Sequence, residues 1–187
     1  MRHITREHHV GARALFVVDD VFDRQFVQMV YYFVRHLPCT LSDYDTPQTQ
    51  HILHWKYEFA LHALPANPLI RELMATMVAV AHDLYAPHHF HLKRMHCNTH
   101  LYGDLQSPHT DLTPGITAVY CANPRWESDW MGETLFYNDA GEPVYAVMPK
   151  PGRLMVFDAD IVHRAGVPSR QCFEPRITVA LKFLAES

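Results

Sequence analysis

Beyond Pro87 the chain breaks into apolar runs too short for helices and too closely spaced for anything but a β architecture. His91–Tyr102, Ile116–Cys121, Glu133–Tyr137, Val144–Val147, Leu154–Phe157 and Ile177–Phe183 are rich in β-branched and aromatic residues, with Gly, Pro, Asn and Asp clusters between them. Such a succession predicts a sandwich or barrel. The first part of the chain reads differently. Ala14–Val18 predicts a strand, and Asp19, Asp20 and Asp23 offer helix N-caps behind it. Phe22, Phe26, Val30, Phe33 and Leu37 then recur at steps of three and four, a helical stripe that Pro38 ends. Leu41–Gln50 is polar and reads as loop. Asn67-Pro68 opens a second helix with an N-cap and a first-turn proline, Leu69, Leu73, Met77, Val80 and Leu84 form its stripe, and Pro87 closes it. The expectation is one domain over residues 1–187, α+β to mainly β, with helices over about 1–87 packed on a β core over about 88–184.

Composition narrows the function classes. The 187 residues carry a net charge of -4, so no basic excess points to nucleic acid. Cys39, Cys97, Cys121 and Cys172 are widely spaced and contain no C-x-x-C pair, which removes a zinc ribbon and leaves reduced thiols. The first ten residues lack the apolar core of a signal peptide, and no run of about 18 apolar residues occurs. A cytoplasmic protein without a membrane partner is expected; the oligomeric state is left open. Histidine is abundant at 15 residues, but the cluster His88, His89, His91 and His96 shows no ligand spacing.

One histidine pattern does. His109 and Asp111 form an H-x-D, His163 follows 52 residues after Asp111, and Arg176 follows 13 residues after His163. Two His and one carboxylate form the facial triad of non-haem Fe(II) oxygenases, which leaves metal positions open for a bidentate 2-oxo acid and O2. Residues two apart on a strand share a face, so His109 and Asp111 can grip one ion, and Arg176 and Thr178 can point together. An inward Arg needs a partner, and a dicarboxylate cosubstrate provides one through a bidentate ion pair. Asn98, His100 and Tyr102 share a face of the strand that leads into the H-x-D.

The stretches NTHLYGDLQSPHTD (98–111), WMGETLFYND (130–139), KPGRLMVFDADIVHRAGVPS (150–169) and RITVALKF (176–183) resemble the Fe(II)/2-oxoglutarate-dependent oxygenases, near the prolyl-4-hydroxylase-like branch. The resemblance covers about residues 91–184 and implies that family's double-stranded β-helix, or jelly roll. It implies that His109, Asp111 and His163 bind Fe(II) and form the catalytic centre. Arg176, with Thr178, would hold the far carboxylate of 2-oxoglutarate. Many members place a Tyr shortly before the first ligand as a further cosubstrate contact, and here Tyr102 and His100 both stand near that place. The intact Asp111 argues against a halogenase, which has a small residue there. Asn98 and the loop residues Arg125, Trp126 and Trp130 are candidates for substrate contact.

The function that follows is an Fe(II)- and 2-oxoglutarate-dependent dioxygenase, with O2 as oxidant and ascorbate as a possible reductant, hydroxylating an unactivated C–H bond. A small molecule, such as an amino acid or a secondary metabolite, is the expected substrate. The alternatives are a peptidyl, prolyl-type hydroxylase, an iron dioxygenase that dispenses with 2-oxoglutarate, and a catalytically silent jelly-roll binding module.

Overall fold

The structure, a computed structural model, describes residues 4–63 and 66–186. In chain order the elements are β1 (Ile4–Val10), β2 (Arg13–Asp19), α1 (Arg24–Val34), β3 (Thr40–Asp43), β4 (His54–Glu58), α2 (Pro68–Leu84), β5 (Phe90–His100), β6 (Gly115–Cys121), β7 (Thr134–Tyr137), β8 (Pro143–Val147), β9 (Leu154–Asp158), β10 (His163–Ala165) and β11 (Arg176–Ala185). Eight strands form one antiparallel sheet in the order β1-β2-β9-β6-β11-β5-β4-β3. A smaller sheet, β10-β7-β8, accompanies it.

Both helices start where the sequence places an N-cap. The Asp23 side chain accepts the Phe26 N–H, and Asn67 accepts the Leu69 N–H. Their apolar stripes, with Phe26, Val30, Ile70, Leu73 and Met77 buried, cover one face of the large sheet. Alternation along the strands builds a second core on the other face. On β2, Val18 faces the helices, whereas Leu15 and Val17 meet Phe136 and Val147 of the small sheet. Strand alternation therefore gives each central strand a helix-side face and a face turned into the space between the two sheets. The site lies on that second face.

Four short elements depart from the sequence reading. Thr40–Asp43 is a strand that overlaps the start of the segment read as loop, and β1, β4 and β10 carry no apolar alternation. β1 and β3 are the two outer strands of the large sheet and are largely exposed, so no buried face imposes a pattern on them. β10 is only three residues long.

One buried ion pair ties the far edge of the sheet together. Arg153 donates from Nε and Nη2 to the two oxygens of Asp19 at 2.7 and 2.8 Å, and Arg6 adds a bond at 2.7 Å. Burial alone would raise the Asp19 carboxyl, but these two guanidinium groups outweigh it and hold it at about 2. A carboxyl lowered by folding stabilises the fold above its unfolded value near 3.9, and that stabilisation is lost as pH falls toward the folded value. Asp19→Asn is therefore expected to lower stability at neutral pH and to flatten the acid dependence between about pH 4 and 2. Urea melts of both proteins across that window check it; parallel curves would assign the acid sensitivity to other carboxylates.

Candidate active site

Two peptide hydrogen bonds bring the distant metal-ligand candidates together. The His109 N–H donates to the His163 carbonyl at 3.0 Å, and the His163 N–H returns the bond at 2.9 Å. The Asp111 N–H donates to the Ala159 carbonyl at 2.8 Å, which turns its carboxylate into the same space. One side-chain atom from each of His109, Asp111 and His163 then lies within 4.8 Å of the other two. His163 Nε2 is 3.4 Å from Asp111 Oδ2, and His109 Nε2 is 3.8 Å from Asp111 Oδ1.

The far ring nitrogens fix the imidazoles. His109 Nδ1 bonds the Ser107 carbonyl and His163 Nδ1 the Ile161 carbonyl, each at 2.9 Å. A carbonyl accepts only, so Nδ1 carries the proton and Nε2 presents its lone pair inward. Burial pushes the His163 ring down to about 4, which keeps it neutral and fit to ligate at neutral pH. Burial would raise the Asp111 carboxyl, but the Lys182 ammonium holds it far below the usual carboxylate range. Thr117 Oγ1 donates to Asp111 Oδ2 at 2.6 Å, and the Lys182 ammonium bonds the same oxygen. Oδ1 is thus the atom left for an ion. Two neutral imidazoles and one carboxylate, with no thiolate among them, fit Fe(II) rather than a structural zinc.

Asp45 completes the support. It sits in the segment after β3 with a buried side chain, accepts the Ser107 N–H at 2.5 Å and His54 Nε2 at 3.0 Å, and lies 3.4 Å from His109 Nδ1. Removing a carboxylate that orients a ligating His typically costs roughly 10–100-fold in metal affinity. Asp45→Asn is expected to weaken Co(II) or Mn(II) binding by about that factor. A metal titration reads it, and unchanged affinity would leave Ser107 as the sole orienting partner of His109.

The cavity behind the triad holds about 340 Å3. Its walls are the inward rows of β5 and β11. Register pairs Arg176 with His100, Thr178 with Asn98, Ala180 with His96 and Lys182 with Arg94. Arg176 is buried at 2% exposure and is aimed by two bonds, from Nε to the Gly132 carbonyl at 2.6 Å and from Nη2 to Thr134 Oγ1 at 2.9 Å. Gly132 has φ +76, and a Cβ there would stand 3.2 Å from the Arg176 side chain, so a glycine lets the backbone come close enough to hold the guanidinium. Neither ring nitrogen of buried His100 has a hydrogen-bond partner among the described residues. Burial, together with Arg176, drives that ring down to about 3 and keeps it neutral. Buried polar atoms without partners are rare in folded proteins. His100 lines the cavity beside Arg176, where the carboxylate end of a cosubstrate would lie.

The remaining sequence candidates divide. Asn98 lines the cavity, and its Oδ1 has no hydrogen-bond partner among the described residues. Tyr102 does not line it: β5 ends at His100, alternation ends with it, and Tyr102 is 58% exposed with the Arg170 guanidinium over its ring. The expected contact from Tyr102 is corrected on that ground. Arg125, Trp126 and Trp130 also stand outside the cavity. Trp126 donates to the Met131 carbonyl at 2.8 Å and packs edge-on to Trp130, and Arg125 covers Trp130 while pairing with Glu127. They form a self-packed loop behind Gly132. The sequence reading missed Asp45 and Thr117, named Lys182 only as a fallback anchor for 2-oxoglutarate, and met His96 only in a histidine cluster without ligand spacing. The two-residue step from Arg176 reaches Lys182 on the same face of the strand; no local signal marks Asp45.

A family model for the 2OG-Fe(II) oxygenase superfamily matches residues 90–183. The chain belongs to that superfamily. The oxygenase therefore uses Fe(II), 2-oxoglutarate and O2, and its triad and Arg176 stand on the matched segment. Among solved structures it is similar to a Pseudomonas putida prolyl-4-hydroxylase, with a TM-score of 0.70 at 13% identity over 92% of this chain and 93% of the other. A Trichoplax adhaerens prolyl hydroxylase, solved with a hypoxia inducible factor peptide, gives 0.69 at 13% identity over 90% and 82%. The non-heme alpha ketoglutarate dependent epimerase SnoN from nogalamycin biosynthesis gives 0.67 at 16% identity over 90% and 77%. These likenesses confirm the jelly-roll fold with its two added helices. No curated protein matches the sequence.

Proposed function

We propose that the oxygenase hydroxylates a C–H bond of a small molecule. The observation that carries this reading is the cavity itself: about 340 Å3, walled by polar and charged side chains. That is near the lower end of ligand pockets, roughly 300–1,000 Å3, and the cosubstrate must share it. In this reading His109, Asp111 and His163 hold the iron. Arg176 grips the far carboxylate of 2-oxoglutarate, with Thr178 and His100 completing its bonds. The buried walls keep bulk water from the reacting centre. Bound iron and 2-oxoglutarate together supply the oxidising power, with succinate and CO2 leaving as coproducts. The chain's own contribution is orientation and a shaped, polar enclosure. Similar folds serve both substrate classes, since the Trichoplax enzyme was solved with a peptide fragment and SnoN with nogalamycin RO. The small volume of the cavity favours the small molecule, and the aromatic loop that could have lined a peptide path is packed on itself.

Succinate release with Fe(II), 2-oxoglutarate and ascorbate tests it. Small amino and organic acids are expected to raise the rate above its substrate-free level. A rate that responds only to proline-containing peptides would give the reaction to a protein substrate. Absence of any succinate with iron bound would identify a silent binding module.

A further inference from the structure

The inner face of β11 carries a cation at each end. Arg176 and Lys182 are six residues apart, about 20 Å along a strand at roughly 3.3 Å per residue, and both line the one cavity. In the reading above, 2-oxoglutarate lies between the triad and Arg176. Lys182 stands at the other end, beyond Asp111, and no part of that cosubstrate arrangement uses it. Lys182 is 8% exposed, and its ammonium bonds Asp111 Oδ2. An ammonium has three N–H donors, and the described residues supply no further acceptor. Around it the wall is also unfinished. Among the described residues the Nδ1 of His96, at 3% exposure, has no partner, and the His96 ring and the Asn98 side chain line the same cavity. Arg94, cross-strand from Lys182, sits at the rim of the same cavity, anchored by Glu58 at 3.0 Å and Asp43 at 3.4 Å.

We infer that this second pole binds a carboxylate of the primary substrate, so that the substrate is a small carboxylic acid, a free amino acid included. The inference rests on the small-molecule reading and adds the group that is recognised. Lys182 offers two spare N–H donors, and neutral His96 offers an N–H or a lone pair. A carboxylate satisfies the ammonium in a way that a neutral amide or ester does not. With the first cation occupied by 2-oxoglutarate, two anionic groups are then held at opposite ends of one enclosure, and the substrate carbon chain is directed toward the triad between them.

The test uses the oxygenase loaded with Mn(II) and N-oxalylglycine, a non-reacting analogue that fills the cosubstrate place. Calorimetry and thermal shift with the free L-amino acids and a set of short monocarboxylic acids are compared with the same compounds as carboxamides. Binding is expected for at least one acid, at least tenfold tighter than for its amide. Lys182→Met is expected to bring acid and amide within about twofold of each other, and Lys182→Arg to keep most of the preference. If Lys182→Met no longer holds Mn(II), His96→Leu takes its place and is expected to reduce the preference at least threefold. Equal binding of acid and amide by the parent protein overturns the inference, whatever the variants do. So does a preference that survives both Lys182→Met and His96→Leu. A variant whose change lies in N-oxalylglycine affinity alone would make Lys182 a cosubstrate contact, also against it. Succinate release without any added acid, raised by amides as well as acids, would leave the small-molecule reading intact while this inference fails.

Discussion

Arg176→Ala is expected to raise the 2-oxoglutarate concentration needed for half-maximal turnover by about 30- to 4,000-fold. Removing one partner of a buried, hydrogen-bonded charge pair costs roughly 2–5 kcal/mol, and every 1.4 kcal/mol is about tenfold in affinity. Fe(II) affinity should stay close to that of the parent, because the hydrogen bonds of Arg176 go to Gly132 and Thr134 and not to the triad. A shorter 2-oxo acid without the far carboxylate should be used relatively better by the variant. Paired titrations of 2-oxoglutarate and of metal check this. An unchanged 2-oxoglutarate requirement would move the anchor away from Arg176. Loss of metal together with cosubstrate would make Arg176 a part of the framework, since Asn123, Gly132 and Thr134 are all drawn toward the start of its strand.

Loss of a ligand should have an effect at least as large on the metal. His163→Ala is expected to weaken Fe(II) or Co(II) binding by more than about 100-fold, the upper end of what removing a merely orienting partner costs. His163 is 5% exposed and its ring packs against the touching pair Phe136 and Phe157, at centroid distances of 6.1 and 4.7 Å, so alanine also leaves a gap in the inner core. His163→Gln fills more of that gap and serves as the control. Both variants should lose metal while Gln keeps more of the melting temperature. A metal titration on the folded variants decides the matter; parental affinity in either would remove His163 from the ligand set.

The residues that were legible in the sequence are those whose chemistry and spacing lie on a single strand or a short span. His109 and Asp111, and Arg176 and Thr178, share a face because strands alternate, and His163 and Arg176 follow at spacings that match the family pattern. The helices were equally legible, since each has a capping residue and a stripe against one buried face. Legibility failed where no buried face writes a pattern. β1 and β3 lie at the sheet's two edges, and their polar sequences read as loop or as nothing. The same alternation that placed His100 correctly misplaced Tyr102, because it applies only while the strand lasts. Asp45 was invisible for another reason. It lies 64 residues before His109, and only the pairing of β3 with β4 and of β4 with β5 carries it to that imidazole.

That path has a kinetic consequence. β3 has four residues, pairs with β4 alone, and exposes three of its side chains. Segments with few buried contacts open at far lower free energy than the global fold. Each opening of this hairpin takes Asp45 away from His109 and Ser107 while the rest of the barrel stays closed. Metal retention is therefore linked to the breathing of a peripheral strand rather than to unfolding of the molecule. Amide exchange along Thr40–Asp43 should slow when metal is bound, and the rate at which a chelator strips the site should follow the opening rate of that edge.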